Sequence, residues 1–238
     1  MLKFGTGNAK LTAHTFSLPS GFSCPGADEC LSKANRETGR ITDSPDMKYR
    51  CFSASSESAF PATRNQRWHN FDQLRHLDML GMIDLIETSL PCAVGTIRIH
   101  VAGDFFNQTY FDAWVTVARR NPRINFYAYT KSLNYWVDSP QHIPDNLNLT
   151  ASVGGKHNHL IEKHSLKSAT VVFHPHDAEK LGLEIDHDDS LAAMGTSPFA
   201  LLLHGTQPAK SIAQNALRTM RKQNIQFSYP KKGRDVAV

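Results

Sequence analysis

The chain has 238 residues, 40% of them hydrophobic and 20% charged, with a formal net charge of +4. That is an ordinary globular composition, long enough to bury a substantial core without staples, and it holds no apolar run of the length a bilayer-spanning helix needs. The N-terminal "MLKFGTGNAKLTAHTF" lacks an apolar signal-peptide core, so a cytoplasmic protein is expected; in a reducing compartment, clustered cysteines point to metal binding or catalysis before disulfides.

Taken in order, "AHTFSLP" (Ala13–Pro19) reads as a short strand, followed by a polar, loop-like stretch from Ser20 to Ser58 that holds three of the four cysteines. "TRNQRWHNFDQLRHLDMLGMIDLIETSL" then reads as one long amphipathic helix, with Trp68, Phe71, Leu74, Leu77 and Leu80 at helical spacing. "TIRIHVAG" is a β-branched run ending in glycine, and "QTYFDAWVTVARRNP" a helix with Pro122 beyond its end. "RINFYAYT", "LNLTASV", "ATVVFH" and "FALLLHG" are the remaining strands, and "PAKSIAQNALRTMRKQ" is a closing helix. Nearly continuous apolar runs suit parallel strands buried on both faces, and strands alternating with helices imply an α/β fold with a mainly parallel sheet.

Six such units could form a partial barrel or an open doubly wound sheet, and periodicity alone does not choose. The reading adopted is a single α/β domain over residues 1–238, a partial (β/α)6 TIM-like barrel carrying a cysteine-bearing loop at about 20–58. In either architecture functional groups gather at the C-terminal ends of the strands. There the sequence places Cys24, Cys30 and Cys51, then "AGDFF", "YTKS", "SVGGKHNH", "HPHD" and "HGTQ".

The cysteine spacing is C-x5-C-x20-C. Thiolates are soft ligands suited to zinc or to an iron–sulfur cluster. Structural zinc wants four protein ligands, so three thiolates without a fourth favour a four-iron–four-sulfur (4Fe-4S) cluster with one iron left open, and zinc is the alternative metal. Cys92 lies beyond the long helix and before a strand, toward the opposite end of the sheet, and is expected to be a small buried hydrophobe.

"CPGADEC", "YRCFSASSES", "RIHVAGDFF…YFDAW…NPRINFYAYTKSLNYW" and "DHDDS…LLHGTQPAKS" together resemble the phage gene-product-88 family, over roughly Phe16 to Ser211. That family, known mainly from bacteriophage genomes, is described as of unknown function; the resemblance implies a phage protein acting in the host cytoplasm. A weaker resemblance is to the radical SAM superfamily. It rests on the order of a cysteine loop after the first strand and a Gly–acidic pair after the second. It implies three cysteines on a 4Fe-4S cluster, with S-adenosylmethionine at the open iron. Gly103 and Asp104 would then grip the methionine ammonium, and Ser132 and Ser152 would line its ribose or carboxylate. The superfamily's motif is C-x3-C-x2-C with an aromatic before the last cysteine, whereas here the second gap is twenty residues and Arg50 precedes Cys51.

Other groups admit plainer readings. Gly103-Asp104 is equally a turn at a strand end. Lys131 could bind an anionic group or face solvent, and Gly154-Gly155 could bring backbone amides to an anion. His157, His159, His164, His174, His176, His187 and His204, with Asp186–Asp189, could serve a metal-dependent nuclease or hydrolase, but they lack the spacing of a zinc-enzyme motif. His100 is expected to be structural, and Trp68, Trp114 and Trp136 to pack helices. No G-x-S-x-G or Walker motif is present. The basic 218–238 segment, "RTMRKQNIQFSYPKKGRDVAV", is a candidate contact for nucleic acid. A cluster-containing or zinc-containing phage protein that binds a host partner or nucleic acid, without being an enzyme, is the third reading.

Overall fold

A computed structural model describes residues 1–7, 13–92 and 94–226. Six strands form one parallel sheet in strict chain order, curled into a half-barrel. The first is β1 (His14–Thr15), which pairs only briefly with the strand that follows it in the sheet. Its continuation still runs beside that neighbour, because Phe16 donates to the Arg98 carbonyl and Leu18 to that of Ala102.

Between β1 and the next sheet strand lie a hairpin and three helices. The hairpin is β2 (Ser32–Ala34) with β3 (Ile41–Asp43), antiparallel and separate from the main sheet. It sits inside the stretch expected to be all loop. The helices are α1 (Phe52–Ala59), α2 (Pro61–Leu74) and α3 (Met79–Ser89). The expected single helix from Thr63 to Leu90 is therefore two. Asp78 ends the run by accepting the Gly81 N–H at 2.8 Å, an N-cap that starts a new helix. Helical spacing consequently holds through Leu74 and fails beyond it: Leu77 and Leu80 are 37% and 73% exposed, whereas Leu74 is fully buried.

The rest of the sheet is β4 (Thr96–Ile99), β5 (Asn125–Thr130), β6 (Leu147–Ser152), β7 (Ser168–Val172) and β8 (Phe199–Leu202). After β4 comes α4 (Gln108–Arg120), capped by Asn107 on the Tyr110 N–H, with Arg119 and Arg120 in its last turn opposing the helix dipole. The short α5 (Leu133–Val137), α6 (His159–Lys163), α7 (Pro175–Leu181) and α8 (Ser190–Met194) fill the other connections, and α9 (Ile212–Lys222) follows β8.

Strand alternation divides the buried residues. Ile97, Ile99, Phe126, Ala128, Leu147 and Leu149 face the helices and pack with Trp114 and Phe16 in the main core; Trp114 is fully buried, 5.6 Å from Phe16 and 6.1 Å from Phe126. Arg98, His100, Tyr129, Val171 and Leu201 instead line the hollow of the curl. α8 closes the starting end of that hollow. Its preceding residue Asp189 accepts hydrogen bonds from the hydroxyls of Tyr127 and Tyr129 and pairs with Arg98, whose guanidinium also lies 5.0 Å from the Tyr129 ring. Lys167 ties the same helix down through the carbonyls of Ala192 and Gly195. No helix among the described residues is long and apolar enough to cross a membrane.

Because the Arg98–Asp189 pair is buried, losing one partner strands the other charge. Asp189→Ala should lower unfolding stability by about 3–5 kcal/mol, read from the urea midpoint, whereas Asp189→Asn should cost less by keeping the tyrosine contacts.

Candidate functional site

The sites expected from the sequence meet at the other mouth of the hollow, above the C-terminal ends of the strands. Cys24, Cys30 and Cys51 line one cavity of about 190 Å³ together with Gly103, Asp104, Lys131 and Ser152. The ends of β4, β5, β6 and β8, with His204 just beyond β8, and the cysteine loop assemble it.

The loop is fastened by backbone contact. Ala27 bridges Gly155, Glu29 donates to the Gly154 carbonyl, and Lys156 donates to that of Gly26. A Cβ on Gly26 would lie 2.2 Å from the Lys131 carbonyl oxygen, so only glycine permits this approach. Gly103 is equally constrained: its φ is +82°, and a Cβ would meet Ser23 Oγ at 2.5 Å. The amides of Gly154 and Gly155, which could have faced an anion, both donate to Asn158 Oδ1.

Cys51 is held from the far side of the sheet. Gln207, beyond β8, brackets Arg50 by accepting its N–H and donating to its carbonyl. Ser53 donates to the Val101 carbonyl beyond β4, and Ser55 to that of Thr206. Arg50 itself pairs with Asp43 of the hairpin. Beneath α1, the fully buried Glu57 accepts the Ser20 amide and hydroxyl and the Arg67 guanidinium, while Arg67 also donates to the Ser53 carbonyl. One buried ion pair thus spans both ends of the cysteine stretch.

These surroundings keep the thiols protonated. Burial pushes Cys24 well above the ordinary thiol range, with Asp104 and Cys51 adding to the effect. Cys30 rises to about 12, mainly by burial, against the opposing charge of Lys131. Cys51 is raised by burial and held back by the Ser53 and Ala54 amides at the start of α1. A bound cationic centre reverses this logic, since coordination deprotonates a thiol outright. Among the described residues, no group of three or more His, Cys, Asp or Glu side chains is arranged to hold a single metal ion.

Asp104 is buried, and its carboxylate accepts the Phe105 N–H (2.7 Å), the Thr130 hydroxyl (2.6 Å) and the Lys131 N–H (2.8 Å). Burial raises it to about 6 against the pull of those bonds. It ties the end of β4 to the end of β5, and one acceptor position of roughly four remains on Oδ2. Lys131 is buried, not solvent-facing; its ammonium donates to Ser152 Oγ and to the Ser152 and Val153 carbonyls. Ser132 donates to the Phe105 carbonyl and is fully buried behind the cavity wall.

The remaining candidates are dispersed. His174 caps α7 and contacts Gln223, His176 faces Glu179, and the rings of His157 and His159 stand 6.3 Å apart. Asp186 accepts the Asp188 and Ala192 amides, and Asp189 is the partner of Arg98. His100 is buried against Phe105, with Nε2 3.0 Å from the Tyr110 hydroxyl. Cys92 is exposed rather than buried, because the turn before β4 lies outside the core. The basic C-terminal segment lies mostly outside the described residues. The Arg98–Asp189 pair was missed as a pair. Its signal was a charged residue inside "TIRIH", which a buried strand tolerates only with a partner.

Ellman's reagent should therefore find one fast thiol, Cys92, and three slow ones in the metal-free protein. Gly26→Ala should unseat the loop and bring Cys24 and Cys30 to rates within about tenfold of Cys92.

Comparison with known proteins gives a consistent placement. The chain is 32% identical over 137 residues to the Gene 88 protein of Mycobacterium phage L5, covering 52% of this chain and 51% of that protein. It is 31% identical over 137 residues to the Gene 88 protein of Mycobacterium phage D29, covering 52% and 50%. It thus spans about half the length of these curated relatives. No solved structure matches. The profile of the Gene product 88 family matches residues 2–223, and the chain belongs to that family.

Proposed function

We propose that the chain binds a 4Fe-4S cluster on Cys24, Cys30 and Cys51 within a partial TIM-like barrel. The observation that carries this reading is the convergence of three cysteines, separated by five and twenty residues, on one cavity at the C-terminal ends of parallel strands. A single zinc ion at about 2.3 Å from each sulfur draws tetrahedral thiolates to about 3.8 Å of one another. A cubane holds its thiolates at separate corners, farther apart. Three cysteines on one cavity, with Cys92 outside it, leave a fourth position free of protein thiolate, which suits the cluster.

When bound, such a cluster supplies a one-electron centre and an iron without a protein thiolate. The chain's own groups prepare the place beside it. Lys131 sets a buried positive charge near Cys30, which favours the anionic thiolate form. Gly103 and Asp104 stand at the end of β4 and Ser152 at the end of β6, on the same cavity. In this reading they receive S-adenosylmethionine: the open position on Asp104 Oδ2 accepts its ammonium, and Ser152 faces its ribose or carboxylate. Ser132 acts behind them by fixing the Phe105 backbone.

The test is iron, sulfide and zinc content of anaerobically purified protein beside Cys51→Ser. About four irons and four sulfides per chain, lost in the variant, are expected for a cluster on three thiolates. S-adenosylmethionine should then change the electron paramagnetic resonance spectrum of the reduced cluster, and Asp104→Asn should weaken that change with iron content retained. One zinc without sulfide, or no metal under these conditions, would overturn the cluster.

A further inference from the structure

The outer face between the β2–β3 hairpin and α2 carries a continuous strip of rings and cations. The Phe22 and Trp68 rings lie 4.9 Å apart, and Phe71 follows 5.9 Å from Trp68. Each ring has its own cation. Lys33 Nζ is 5.3 Å from the Phe22 centroid, the Arg36 guanidinium 4.8 Å from Trp68, and that of Arg75 5.5 Å from Phe71. The three cations are exposed, and Phe22 is 41% exposed.

The charge on this face is positive. Asp72 bridges Arg36 and Arg75 at 2.6 and 3.1 Å, so one carboxylate serves two guanidiniums. Glu37 lies in the hairpin turn, but so does the exposed Arg40. Behind them the buried Arg64 donates to the carbonyls of Arg36, Glu57 and Glu37, which do not neutralise it.

We propose that this strip is a binding surface for single-stranded nucleic acid. The chemistry matches a chain of phosphates carrying unpaired bases: Lys33, Arg36 and Arg75 meet the phosphates. Phe22 and the outer faces of the guanidinium planes offer stacking to bases. Trp68 and Phe71 lie under their cations instead of projecting, which leaves little apolar area to insert into a lipid surface. The surface adjoins the cysteine loop, because Phe22 is two residues before Cys24, but it operates whether or not a metal is bound there.

The full chain would be titrated against a fluorescein-labelled oligothymidine of about 20 nucleotides, by anisotropy, across a salt series. Binding should weaken with salt at a slope of about −0.7 per neutralised phosphate. The K33Q/R36Q/R75Q variant should bind about tenfold or more weakly at low salt and lose about 2 from that slope. Phe22→Ala should weaken binding with the slope unchanged, and circular dichroism should show both variants folded. Absence of binding at low salt would overturn the proposal, as would equal binding by both variants. So would preference for phosphatidylserine vesicles, or a loss confined to a variant with Lys231, Lys232 and Arg234 changed to glutamine.

Discussion

The cavity exists because a polar loop can lie against the ends of β5 and β6 at backbone contact. That approach depends on glycine: Gly26 sits where a Cβ would occupy the space of the Lys131 carbonyl, and Gly155 faces Gly26 in turn. Backbone hydrogen bonds from Glu29 and Lys156 complete the seam. The loop contributes few apolar contacts of its own, so its placement rests on hydrogen bonds and close fit more than on hydrophobic burial. Cys24 and Cys30 inherit their position from that seam.

Cys51 reaches the same cavity by a different route. It stands at the start of α1, and α1 is anchored to the ends of β4 and β8 rather than to β5 and β6. The three sulfurs therefore report on the centre of the sheet and on the strands that flank it, and any group bound between them would join the two. Buried charge secures both ends of the hollow. Glu57 and Arg67 hold the two ends of the cysteine stretch above, while Arg98 and Asp189 hold α8 below. Such pairs add little net stability over apolar packing, but each is costly to break singly, which makes the arrangement of loop and plug hard to shift.

The strands of the main sheet and the helices after β4 and β8 were legible because their signals are local: a β-branched run ending in glycine, helical spacing, and Pro122 beyond the end of α4. The long helix was misread for the same reason. Apolar spacing continued past Leu74 by coincidence, while Asp78 carried the competing capping signal that begins α3. The hairpin within the cysteine stretch was invisible, since "SKA" and "ITD" are too short and polar to show alternation. The amides of Gly154 and Gly155 looked available to a ligand, and Asn158, three to four residues on, already accepts from both.

By itself the sequence determined an α/β chain with a mainly parallel sheet, a place for functional groups at its strand ends, and family membership, because periodicity, turn residues and motif order are properties of contiguous residues. Only the tertiary structure decided which of those groups meet. Cys51 joins Cys24 and Cys30 across the mouth, and Lys131 turns inward to Ser152. Arg98 finds Asp189 some ninety positions away, while Cys92, His157, His159, His174 and His176 stay outside the cavity that His100 and His204 line. Those outcomes depend on how far the sheet curls and which backbones can touch, and neither is written in any single segment of the chain.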